Sequence, residues 1–200
     1  MKKFRTNITK NIIFIVIIIS FLLLINYYQE KIINKSDAES IRIGGTFNLI
    51  DQNEIPFNSQ MIKKYKIIYF GYTFCPDVCP FDVLKLSNFF SNDKQLIKHI
   101  QPIFITVDPE RDNSEIVRNF LDNFSSEIIG LTGTQTMIKD TLNKFKVYKK
   151  ISSDSKESAD YLIDHTALFY IVDKKDNYVT HLSSKNFEEE FNQFIRTNLY

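Results

Sequence analysis

The sequence predicts an α/β domain, a central mixed β-sheet flanked by helices on both faces, opened by an N-terminal β-hairpin and preceded by a transmembrane helix. Three observations predict it. KIIYFGYTF (66–74) and PIFITVD (102–108) are continuous apolar runs, as in strands buried on both faces. The segments around them carry apolar residues at helical spacing. Ahead of them, 19 uncharged residues, NIIFIVIIISFLLLINYYQ, separate Lys10 from Glu30.

The uncharged stretch comes first. A helix of that length rises roughly 28 Å, about one hydrocarbon core. Tyr27 and Tyr28 fall where an aromatic interface belt belongs. Lys2, Lys3, Arg5 and Lys10 precede the stretch and no acid does, so the N-terminus is expected in the cytoplasm. A cleaved signal peptide is the rival reading, but no A-x-A-like site lies near residues 26–40. The chain then divides into a basic cytoplasmic N-terminus (1–10), a transmembrane anchor (11–29), a polar tether (30–42) and a folded domain (43–200). The pattern leads us to expect a single-pass protein of a bacterial-type inner membrane, with its soluble domain in a periplasm-like space.

Within the domain, Gly44-Gly45 opens the fold, and the apolar runs 47–50 and 55–57 flank DQNE as a hairpin. The strand at 66–74 leads through the cysteine loop into a helix whose spacing holds as far as Phe90. After the strand at 102–108, SEIVRNFLDNF (114–124) is an amphipathic helix capped by Asn113 or Ser114. EIIGLTG (127–133) is a short strand, and 134–147 a helix capped by Thr134. Residues 151–160 are a polar loop, 161–173 a strand pair or one bent strand, and YVTHL (178–182) the returning strand. The closing helix (186–199) carries Phe187, Phe191, Phe194 and Ile195 on one stripe. The hydrophobic share of 44% suffices for an ordinary core. A net charge of +1, with no basic stripe, excludes a nucleic-acid binder.

The chain's two cysteines sit together in GYTFCPDVCP (71–80). Each precedes a proline, which pushes Cys75 and Cys79 out of the α region and onto a loop, with Pro80 near the start of the helix. Thiols there face the positive end of a helix and are biased toward thiolate. In an oxidising compartment such a pair is a disulfide, a redox couple or part of a metal site. Thiolates select soft metals, copper(I) and zinc among them, and two are too few for structural zinc. A third ligand has three histidine candidates. His99 reads as a solvated side chain at a helix end, and His181 as a residue of the returning strand. His165, in DHT between a polar loop and the strand ALFYIV, stands where α/β sheets gather their sites, with Asp164 as a partner able to fix its tautomer. Its structural reading, a satisfied histidine at a strand end, is equally open at this level. Asp77, a hard donor poorly suited to copper(I), reads as loop shaping or a partner contact. Met137 reads as core.

YFGYTFCPDVCP, ITVDPERD (105–112) and YLIDHTALFYIVD, in that order, resemble the SCO/SenC family of membrane-anchored, thioredoxin-like copper proteins. The resemblance covers about residues 41–200 and shows no departure at the metal positions. It implies a thioredoxin-like fold and one copper, Cu(I) or Cu(II), held by Cys75, Cys79 and His165. The expected recipient is the CuA domain of cytochrome c oxidase subunit II; another copper chaperone or a thiol reductant are further implied partners. A membrane-anchored thiol–disulfide oxidoreductase that reduces the oxidase's CuA cysteines through Cys75 and Cys79 is the alternative. A peroxide-handling thioredoxin relative ranks last, because Thr73 is near the cysteines but no arginine is obvious in their loop. Asp108, Arg111 and Asp112 read as a salt-linked turn with no assigned chemistry.

Overall fold

The computed structural model describes residues 16–29, 42–152 and 161–199. They fall into two units, one within Met1–Arg42 and one spanning Ile43–Tyr200. In the first, residues 16–29 form helix α1, exposed along its length. The predicted membrane span starts at residue 11, outside the described residues. Among the described residues, no helix is long and apolar enough to cross a membrane.

In the second unit, β1 (Asn48–Asp51) and β2 (Pro56–Asn58) form the predicted hairpin. Strands β3 (Tyr65–Gly71), β4 (Ile100–Thr106) and β5 (Ile129–Thr132) run parallel to one another. β8 (Leu168–Val172) adds antiparallel to β3, and β9 (Tyr178–Ser183) antiparallel to β8. The seven-stranded order is β2-β1-β5-β4-β3-β8-β9. Among the described residues, two further strands, β6 (Lys149–Ile151) and β7 (Ile163–His165), pair only with each other. The 161–173 segment is thus two strands in different sheets, and part of the stretch before the polar loop is a strand the sequence did not suggest.

The helices are α2 (Val78–Asn92), α3 (Ser114–Leu121), α4 (Gln135–Phe145) and α5 (Phe187–Asn198). Asn113 caps α3 through Ile116 N–H, and Thr134 caps α4 through Met137 N–H. Side chains alternate across a strand, so Tyr69, Phe104 and Phe169, paired across β3, β4 and β8, share one face. That face is covered by α5, where Phe187 lies 4.2 Å from Phe169, and by α3, where Phe120 lies 5.5 Å from Phe104. Phe89 of α2 packs edge-on against Phe187 and Phe191. On the opposite face Phe145 of α4 meets Phe70 and Tyr170. Helices cover both faces, as the alternating pattern requires. Gly130 is obligatory beneath α3: a Cβ there would lie 2.5 Å from both Leu121 and Val117. At the N-terminal end of β3 Lys66 pairs with Asp176 at 2.7 Å, both fully buried, and Ser59 donates to the same carboxylate.

Candidate metal centre

The C-terminal ends of the parallel strands gather the site, where side chains leave the sheet beyond its last hydrogen bonds. β3 ends at Gly71 directly under the cysteines. A Cβ on Gly71 would lie 3.2 Å from Cys79 Sγ and 2.8 Å from the Tyr69 ring, so only glycine lets the strand pass there. Cys75 lies on the loop, half-buried. Cys79 lies in the first turn of α2, fully buried, rather than on a non-helical loop. Pro80 itself is tolerated there, because the N–H it lacks would have no intrahelical partner in a first turn. Asp77 takes the N-cap position with no side-chain cap bond and is exposed.

The two thiols are not joined in a disulfide. The neighbouring Cys79 thiol is the chief reason the Cys75 pKa is pulled down to about 5, with the Asp77 and Cys79 backbone N–H groups and the Tyr72 hydroxyl helping. The same pairing, reinforced by burial, pushes Cys79 up. The half-exposed sulfur is therefore the thiolate and the buried one keeps the proton. The N–H groups aimed at Cys75 are those of the α2 N-terminus, so the expected bias toward thiolate falls on one cysteine only.

His165 is the last residue of β7. Its Nε2 lies 3.3 Å from Cys79 Sγ, and its Nδ1 lies 3.2 Å from the Thr166 carbonyl oxygen. A carbonyl only accepts, so Nδ1 carries the hydrogen, and the Nε2 lone pair faces the Cys79 sulfur, where it competes with Cys75 for the one thiol proton. Burial lowers the His165 pKa and keeps the ring neutral, the form that ligates. Asp164 does not fix this tautomer. It is exposed, as alternation along β7 puts it on the opposite side from His165. Tyr72 and Tyr69 pack edge-on to the ring at 5.9 and 6.3 Å. The Tyr69 hydroxyl is buried beside Cys79 and Asp82 but makes no well-formed hydrogen bond to either.

The structure thus brings Cys79 against His165 and Cys75 against Cys79. Among the described residues, no group of three or more His, Cys, Asp or Glu side chains is drawn tightly enough to hold a metal ion. His99 and His181 are exposed, and Met137 packs against the core. Sequence reasoning missed Tyr69 and Tyr72, and gave Asp112 no role beyond a salt-linked turn. Asp112, fully buried, accepts from Thr73 N–H at 2.9 Å and from the Thr73 and Thr106 hydroxyls at 2.6 Å each. Burial raises its pKa. The arginine that the cysteine loop lacks arrives from the turn after β4: Arg111 stacks over Tyr161 and pairs with Asp108 at 2.5 Å. Its charge is committed to that carboxylate and the Thr73 hydroxyl to Asp112, which leaves the peroxide reading no better supported.

A mixed sheet with paired cysteines at a β3–α2 junction, facing a histidine before a late strand, defines a thioredoxin-like protein with a potential ligand opposite its cysteines. The SCO1/SenC family model matches residues 35–199, and the chain belongs to that family. It is 38% identical to the SCO2-like protein of Rickettsia prowazekii, across 94% of this chain and 98% of that one. It is 41% identical to the mitochondrial protein SCO2 of Saccharomyces cerevisiae, across 76% of this chain but only 50% of that longer protein. Among solved structures, ScoI of Bradyrhizobium japonicum with copper bound matches at a TM-score of 0.70 and 35% identity, covering 78% of this chain and 98% of that one. Yeast Sco1 with copper bound matches at 0.69 and 34%, covering 79% and 88%.

Proposed function

We propose that this chain is a copper metallochaperone, which takes up one copper ion through Cys75, Cys79 and His165 and passes it to the CuA site of cytochrome c oxidase subunit II during oxidase assembly. The observation that carries the reading is the His165–Cys79 contact: a neutral imidazole with its free nitrogen 3.3 Å from a cysteine sulfur, its other nitrogen occupied by a backbone carbonyl. Two sulfurs and one imidazole nitrogen suit copper(I), which accepts low coordination and soft donors. Cys75 supplies a thiolate already; Cys79 releases its proton as the metal enters. Small closing movements of the three side chains complete the centre. The copper-bound relatives support the cargo. The stretch 11–29 would tether the domain to the outer face of the cytoplasmic membrane, and a thiol reductant or a copper-donating chaperone would keep the pair reduced and loaded.

One observation favours a second activity at the same residues. Cys75 is the half-exposed thiolate and Cys79 the buried thiol, the division of labour of a dithiol reductant. Cys75 would attack a CuA disulfide to form a mixed disulfide. Cys79, deprotonated, would then release the partner as a dithiol and leave Cys75–Cys79 oxidised. Two electrons move from this chain to its partner, and copper cannot bind until they are restored.

The test is a competition titration of the reduced full chain with copper(I). One ion per chain is expected, with affinity falling at least about tenfold, or about 1.4 kcal/mol, in His165→Ala. Unchanged affinity in that variant would remove His165 from the centre. No copper uptake, together with ready reduction of an oxidised CuA domain, would leave the reductase reading alone.

A further inference from the structure

His165 stands on an element outside the main sheet. Among the described residues, β6 and β7 pair with each other and not with the seven strands, so His165 is tied to the main sheet through the short step to Leu168 of β8 and not by strand pairing of its own. Side-chain contacts fix the rest of its placement, and several converge on one five-residue turn, DPERD (108–112), at the C-terminal end of β4.

From this turn, Asp112 grips the cysteine loop by accepting from the Thr73 N–H and hydroxyl, two residues before Cys75. Asp108 grips the other side: its Oδ1 accepts from the Tyr161 hydroxyl at 2.7 Å, and Tyr161 leads into β7. Arg111 lies between them. Its Nε donates to Asp108 Oδ2, and its guanidinium sits 3.6 Å from the Tyr161 ring centroid, 5.0 Å from that of Phe74 and 5.7 Å from that of Tyr72. Phe74 and Tyr72 belong to the cysteine loop, and the Tyr72 hydroxyl accepts from Ile163 N–H of β7 at 3.2 Å. Asp108 and Asp112 are buried and Arg111 nearly so, which makes these contacts stiff rather than solvated surface pairs.

We infer that Asp108, Arg111 and Asp112 are positioning residues, a clasp that holds the β7 hairpin against the cysteine loop and so sets whether His165 reaches the ion held by Cys75 and Cys79. The inference rests on the three-ligand reading. It assigns the turn a purpose that local salt linking does not: Arg111 is planar and stacks on rings from both halves of the centre, which a lysine cannot imitate.

The experiment is a double-mutant cycle on the reduced full chain, read by copper(I) competition. Tyr161→Phe, which removes only the hydroxyl bond to Asp108, and Arg111→Met should each weaken copper binding by about fivefold where His165 is present and by nothing in a His165→Ala background. A metal-free readout accompanies it: NMR cross-peaks between the His165 and Tyr72 rings, 5.9 Å apart between centroids, should weaken in both variants. Equal losses in both backgrounds, or cross-peaks unchanged in both variants, would overturn the clasp. If Arg111→Met fails to fold, Tyr161→Phe decides. If wild type binds no copper, or His165→Ala binds as wild type does, the three-ligand reading has failed instead, and the cross-peaks alone judge the clasp.

Discussion

Replacing Asp112 by alanine removes one acceptor from three donors at once. Thr73 N–H then has no partner in a buried setting, which costs about 1–3 kcal/mol. The Thr73 hydroxyl loses a charge-assisted bond of about 1.5–3 kcal/mol, part of which it recovers by rotating. Thr106 loses less, because its oxygen still accepts from Asp108 N–H. Against these losses stands the desolvation of the carboxylate itself, visible in its raised pKa. The net destabilisation should be about 2–4 kcal/mol, which lowers the Tm of a domain this size by roughly 5–15 °C. Asp112→Asn keeps one acceptor oxygen but turns an NH2 toward a donor, and should cost about half as much. Urea unfolding of the reduced protein, followed by circular dichroism, reads both. A loss below about 0.5 kcal/mol in Asp112→Ala would refute the reasoning, because surface substitutions do no more than that.

Three other outcomes follow from the charges. Alkylation of the reduced protein by iodoacetamide should occur first at Cys75, with a rate that rises through a midpoint near pH 5, where an ordinary thiol would still be protonated. Because the folded pKa lies below the unfolded one, this thiolate adds stability in full only above pH 9, and that stability is lost as pH falls toward 5; Cys75→Ser should flatten that part of the stability profile. Lys66→Met should destabilise the fold by about 3–5 kcal/mol, since it leaves Asp176 charged and buried without its partner, while copper affinity stays as in wild type.

Much of the fold was legible because apolar periodicity reports local burial. The runs that became β3 and β4, the Phe187–Ile195 stripe and the capping roles of Asn113 and Thr134 need only near neighbours to be read. β6 was not legible: KKI has no strand pattern of its own and extends only because β7 pairs with it. The candidate site shows the same divide. Cys75, Cys79 and His165 stood out by residue type and context. The Asp108–Arg111 link, three residues apart, was readable as a turn. Its reach to Tyr161 spans 53 residues, and Asp112 reaches Thr73 across 39, so no local pattern could have shown that this turn touches both halves of the centre. The expected partnership of Asp164 with His165 failed for a local reason instead: neighbours on a strand face opposite ways.

X-ray absorption at the copper edge, on the reduced full chain loaded with one copper(I), tests the central claim most directly. The account predicts two sulfur neighbours and one nitrogen neighbour, with the nitrogen lost in His165→Ala. A shell of sulfur alone in the wild-type protein, unchanged by that substitution, would contradict it.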